Sequence, residues 1–170
     1  MLVRGKIVFL VMALLIVGAA GFSIWYNHHQ SAQSIAFWGD EAVKTILQAE
    51  HVIIARCAPA AAEAPAAERI TLAGQTFQLI RRKDMAQNHD LKAIWLEDGA
   101  FDWQTVRHPP TELAAQSLLA IEFQHGDRVA RYAIDLPSGW VFDPAQNRAA
   151  LLIPLRREEF QKFAADEFPP

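Results

Sequence analysis

The sequence predicts an α+β domain, an antiparallel sheet covered by helices on one face, set behind an N-terminal transmembrane helix. Three observations carry this expectation. Residues 7–26 form a twenty-residue run without a charge. A strict apolar alternation on both sides of His125-Gly126-Asp127 reads as a β-hairpin. Helical and strand-like stretches follow one another in the order helix, strands, helix, strands, helix, which places helices on one side of an antiparallel sheet.

The run IVFLVMALLIVGAAGFSIWY at 7–26 would make roughly 30 Å of helix, the thickness of a bilayer core. Arg4 and Lys6 stand before it and no acidic residue does. Residues 1–6 are therefore expected in the cytoplasm and everything after Tyr26 outside it. Trp25 and Tyr26 suit the aromatic belt at a membrane surface. The alternative is a cleaved signal peptide, with the small residues VGAAG at 17–21 as the peptidase site and a secreted product. The only cysteine, Cys57, lies far downstream of the run, which leaves no thiol for an N-terminal lipid and excludes an intramolecular disulfide. It ends an apolar stretch and reads as a small buried hydrophobe. With Arg4 and Lys6 set aside, 14 of the 16 basic residues face 19 acidic ones, a formal −5 that argues against a nucleic-acid partner.

Residues 27–36 are polar and small and read as a tether, with the domain proper at 37–170. In FWGDEAVKTILQAE, Gly39 is the expected helix N-cap. Trp38 and Val43 then pack as a hydrophobic staple, and Asp40 and Glu41 sit in the first turn, where the helix dipole favours anions. Val43, Ile46 and Leu47 make the apolar stripe, Asp40 and Lys44 pair at i, i+4, and the helix stops near Glu50. HVIIARC is a strand. Residues 58–68, APAAAEAPAAE, are a flexible Ala/Pro loop, too poor in apolar bulk to hold a core position. RITLAGQTFQLI resumes the sheet with a turn or bulge at Gly74. Residues 81–88 read as a polar connection, and HDLKAIWLED as a second helix. In LLAIEFQ, Leu119, Ile121 and Phe123 share one face. In RVARYAIDL, Ala130, Tyr132, Ile134 and Leu136 do, a hairpin with one face buried. GWVFD and AALLIPL add two strands, and REEFQKFAADEF closes as a helix with Phe160 and Phe163 inward.

The opening WGDEAVKTILQAEHV, the stretch LEDGAFDW and the hairpin LLAIEFQHGDRVARYAIDLPSGWV resemble small uncharacterised bacterial proteins that begin with a Trp-Gly-x-Glu-Ala helix and end in a similar Gly-turned hairpin. The likeness spans residues 37–141. It implies a bacterial origin and one compact domain, and it carries no site residues with it. The location then expected is the bacterial cytoplasmic membrane, single-pass, with the C-terminal domain extracytoplasmic.

Catalytic residues, a metal centre and cofactors are not expected. His28 and His29 are adjacent in the tether, would point apart, and have no third ligand near. His89-Asp90 reads as helix capping and His125 as a solvated turn residue. The serines after the span are Ser31, Ser34, Ser117 and Ser138, and none sits in a Gly-x-Ser-x-Gly elbow. Asp98 with Asp102, or Asp135 with Asp143, could supply paired carboxylates, but any chain with 19 acids offers such pairs. No glycine-rich phosphate loop is present. Arg81-Arg82-Lys83 is a dense basic run suited to an acidic partner, anionic headgroups or plain solvation. Trp103, Arg107 and Trp140 lie beside loops, and loop aromatics with an arginine are what protein-binding surfaces use. The expected function is a membrane-anchored extracytoplasmic protein-binding domain whose partner is another envelope protein. The alternative is a small hydrolase-like envelope enzyme with no site marked in the sequence.

Overall fold

The structure is a computed structural model that describes residues 12, 15–19, 21, 31–61, 63, 65–86, 88–104 and 109–169. In chain order the domain comprises α1 (Ala32–Trp38), α2 (Asp40–Gln48), β1 (His51–Pro59), β2 (Arg69–Leu72), β3 (Gln75–Asp84), α3 (His89–Leu96), β4 (Leu118–His125), β5 (Arg128–Asp135), β6 (Trp140–Asp143), β7 (Arg148–Leu151) and α4 (Pro154–Glu167). The seven strands form one sheet in the order β2-β3-β1-β4-β5-β6-β7, every neighbouring pair antiparallel. The α+β class and the antiparallel sheet are as the sequence implied. Of residues 7–26, only 12, 15–19 and 21 are described, all helical. Among the described residues no helix is long and apolar enough to cross a membrane; the rest of the expected span lies outside them.

The domain begins earlier than residue 37. Residues 32–36, read as tether, belong to α1, and Ser34 is fully buried. The reason is a contact invisible at short range: the Asp98 carboxylate accepts the Ser34 N–H at 2.6 Å and the Gln33 N–H at 3.0 Å, supplying a cap to orphan donors of that first turn. Gly39, at φ 85°, is the break between α1 and α2 and the N-cap of the latter, a backbone state that favours glycine. On α2, Val43, Thr45 and Ile46 are buried while Leu47 is exposed, so the stripe is rotated by one residue from the expected one. Lys44 pairs with Glu41 at 2.9 Å rather than with Asp40.

Residues 81–84, expected in a polar connection, continue β3. The ladder absorbs them through an irregularity: Ile54 opposes Lys83 and Arg56 opposes Ile80, so an extra residue is accommodated beside Arg81, whose φ is 49°. The three basic side chains are engaged within the domain. Arg81 donates to the Pro169 carbonyl at 3.2 Å, Arg82 reaches Glu122 at 2.5 Å, and Lys83 pairs with Glu167. The run therefore ties the C-terminus to the sheet.

Helices α1 to α4 lie on one face, where Trp38, Ile46, Trp95 and Phe160 meet the sheet residues Ile54, Ile121, Phe123, Tyr132 and Ile134. The hairpin was expected to bury one face only; the structure buries both. On the opposite face Cys57, Ile70, Phe77, Leu118, Trp140 and Phe142 form a second apolar cluster, closed by Leu113 and Ala115 from the 109–117 segment. Curling makes this possible. In a flat sheet β2 and β5 would stand about 19 Å apart, four strand spacings. Yet Arg131 of β5 donates to the Arg69 carbonyl of β2 at 2.9 Å.

Candidate functional site

Of the expected binding residues, Trp103 and Trp140 do not converge. Trp140 is 8% exposed and belongs to the second apolar cluster, facing Phe142 and Leu118. Trp103 is half-buried on the helical side, its ring centroid 5.2 Å from Phe37 and 5.1 Å from Phe101, its indole N–H donating to the Asp98 carbonyl at 2.9 Å. The two indoles thus face opposite sides of the sheet. Arg107 lies outside the described residues.

What the fold does assemble is a polar depression around β5. The β5–β6 ladder covers only Ala133, Ile134 and Asp135, because the chain turns away after Asp143. Beside residues 128–132 two cavities therefore open. One, about 450 Å³, lies toward β2 and is lined by Arg69, Thr71, Val129 and Arg131. The other, about 370 Å³, lies toward α2 and is lined by Glu41, Thr45, Arg128, Tyr132, Asp143 and Gln146. Both also touch Val129, Arg131 and Ala145, so they adjoin.

Beneath them sits Glu122, fully buried on the curled face and opposite Arg131 in the β4–β5 register. A carboxylate there must be answered. Arg131 pairs with one of its oxygens and Arg82 with the other. Glu122 alternates with Ile121 and Phe123, so the alternation alone pointed it to solvent.

In the α2-side cavity the Tyr132 ring is wedged between Trp38, at 5.0 Å, and Trp95, at 5.4 Å, while the residue also lines the cavity. Asp143 is 4% exposed and opens the β6–β7 turn: its Oδ1 accepts the N–H groups of Ala145 at 3.0 Å and Gln146 at 3.2 Å. Burial raises the Asp143 carboxyl above its ordinary range against the pull of those two donors and of Arg148. Burial, and secondarily the charge of Asp143, push the Tyr132 phenol up as well, so the two groups sense one another. Tyr132 was legible as a buried-face residue, and Asp143 was one of many acids. Nothing local in the sequence says that the β6–β7 turn brings them together.

The other candidate chemistry resolves into structure. Asp135 accepts the hydroxyls of Ser117 at 2.7 Å and Ser138 at 2.5 Å, fixing a turn, and Asp98 caps α1. The Asn88 side chain, not His89-Asp90, caps α3 by accepting the Leu91 N–H at 3.0 Å. His51 and Asp84 meet at 2.7 Å, both about half exposed. Among the described residues no group of three His, Cys, Asp or Glu could hold a metal ion. Against known proteins, no family model, no curated protein and no solved structure matches this chain.

Proposed function

We propose that the chain is a membrane-anchored extracytoplasmic binding domain of the bacterial envelope, its partner another envelope protein and its recognition surface the depression around β5. Residues 1–6 are cytoplasmic, 7–26 the signal-anchor, and the α+β domain projects outward. The observation that carries the reading is the pair of adjoining cavities at residues 128–132, where sheet curling leaves a concave surface lined by polar side chains. Concave, partly apolar sites with a few placed polar groups are where ligands bind. The anchor rests on the uncharged run behind Arg4 and Lys6. The enzyme alternative has less behind it. His51–Asp84 is a dyad in which neither side chain is sequestered from water, and among the described residues no Ser or Cys hydrogen-bonds to it.

Two measurements test the reading. A reporter active only outside the cytoplasm, fused after Pro170, is expected to work, and activity of a cytoplasmic reporter instead would overturn the topology. Photo-crosslinking from position 129, in cells expressing the full chain, is expected to trap a discrete envelope protein that a crosslinker at exposed Leu155, on α4, does not. Identical adducts from both positions would overturn the assignment of the surface.

A further inference from the structure

Resting on the binding reading above, we propose that the cavity between α2, β5 and the β6–β7 turn receives an ammonium-tipped alkyl chain, the side chain of a lysine presented by the partner protein. Two buried polar groups line the cavity with bonding capacity unused. Tyr132 is 1% exposed, and among the described residues its hydroxyl has no hydrogen-bond partner. Asp143 commits Oδ1 to the turn, and among the described residues no hydrogen bond reaches its Oδ2.

The sign of the missing charge follows from the surroundings. Arg128 is held by Glu41 at 3.5 Å, and Glu41 by Lys44 at 2.9 Å. Arg131 is paired with Glu122. Arg148, opposite Asp143 in the ladder, turns its guanidinium to the Phe37 carbonyl at 2.5 Å. Both cations on these walls, Arg128 and Arg131, are engaged at short range, and Arg148 beside them acts on Asp143 only as a neighbouring charge, so that among the described residues Asp143 forms no ion pair. An ammonium brings three donors and no acceptor, matching one free carboxylate oxygen and one phenol oxygen. A guanidinium would seek two coplanar carboxylate oxygens, and Oδ1 is already taken. Ala42, Val129 and Ala130 give the alkyl stem apolar wall, and about 370 Å³ gives it room. The raised carboxyl of Asp143 marks a burial cost that the ammonium would offset.

The test uses the full chain in zwitterionic detergent, with the ring resonances of its two tyrosines labelled so that Tyr26 serves as control. It is titrated with Nα-acetyl-lysine methylamide, the norleucine analogue and butylamine. The expected result is a saturable shift of the Tyr132 ring with the lysine derivative, at least about tenfold weaker with norleucine, and about tenfold weaker in Asp143→Asn, the size of one lost charged hydrogen bond. Tyr132→Phe, read on the Ala145 amide, is expected to weaken binding by a smaller factor, with both variants melting no lower than the parent. Equal binding of norleucine, an unchanged Asp143→Asn, or no saturable shift overturns the proposal; butylamine matching the lysine derivative overturns the peptide source. If no amine binds but position-129 crosslinking is lost in Asp143→Asn, the cation falls and the binding reading stands. If crosslinking also proves non-specific, both fall.

Discussion

The indole N–H of Trp38, at the end of α1, donates to the carbonyl of Trp95 in the last turn of α3 at 3.0 Å. The last carbonyls of a helix have no partner within it, so this bond answers one of them inside the core. Trp95 does not have the same satisfaction: among the described residues its own buried Nε1 has no acceptor. Trp38 therefore fastens two helices as well as filling space.

The asymmetry is measurable. Trp38→Phe and Trp95→Phe remove similar volume, but only the first strands a buried acceptor. Trp38→Phe is expected to cost about 1–2 kcal/mol more than Trp95→Phe in urea unfolding. Equal costs would mean that the hydrogen bond contributes nothing beyond packing.

The Glu122 cluster supports a second expectation. Glu122→Ala leaves Arg82 and Arg131 facing each other on the curled face, with side chains 34% and 24% exposed. Because both arginines keep some water, the loss is expected at about 2–4 kcal/mol, at or below the figure for a wholly buried pair. Replacing all three together, Arg82→Met, Glu122→Leu and Arg131→Met, is expected to recover most of it. A triple variant no more stable than Glu122→Ala would show that Arg131 matters chiefly through its bond to the Arg69 carbonyl.

These two cases show what was legible beforehand and what was not. Short-range signals carried the elements: Gly39 before the acidic first turn, the alternation around Gly126, the apolar run of β1. Trp38 was readable as structural from its place beside the helix start, though its bond to Trp95 was not. The Ser34–Asp98 contact spans 64 positions, and with it went the true start of α1. Glu122 was misplaced because alternation reports one face at a time, whereas curling buried both. The site suffered most. Tyr132 and Asp143 meet only because β6 leaves β5 after three paired residues, a fact of register with no local signature.

Asp143 also makes stability depend on pH. Its folded pKa is raised above 3.8, mainly by burial. For a carboxyl shifted upward, the protonated form favours the fold, so this contribution is fully present below pH 3.8 and is lost as pH rises through the folded value. Asn keeps the turn-capping oxygen and never ionises. Asp143→Asn is thus expected to melt higher than the parent at pH 7, with the gap closing toward pH 3.5. A gap that stays constant with pH would place its origin elsewhere.

Cys57 gives a simpler readout. It is 4% exposed in the second cluster, and burial pushes its thiol up to about 12. The thiolate is the reactive form, so the native protein is expected to resist an aromatic disulfide reagent at pH 8 and to react with one equivalent on unfolding. Rapid native labelling would mean that the second cluster opens readily.

The loop residues offered by the sequence can be judged in a fragment from Ser31 to Pro170, which holds α1 through α4 and every strand. It is expected to be soluble and folded, since it sheds the uncharged run and keeps both apolar clusters. Trp140→Ala is expected to lower its stability by about 3–5 kcal/mol, because the indole fills the second cluster. Trp103 is half-buried and only packs against the edge of the first cluster, so Trp103→Ala is expected to cost about 1–2 kcal/mol. Arg107→Ala is expected to leave melting unchanged. Partner capture from an envelope extract then separates the surfaces. If the depression around β5 is the interface, Trp103→Ala and Arg107→Ala capture normally while Asp143→Asn does not. If Trp103→Ala and Arg107→Ala abolish capture with little change in melting, the interface lies at the loop near Phe37 and Phe101, and the β5 surface loses its claim.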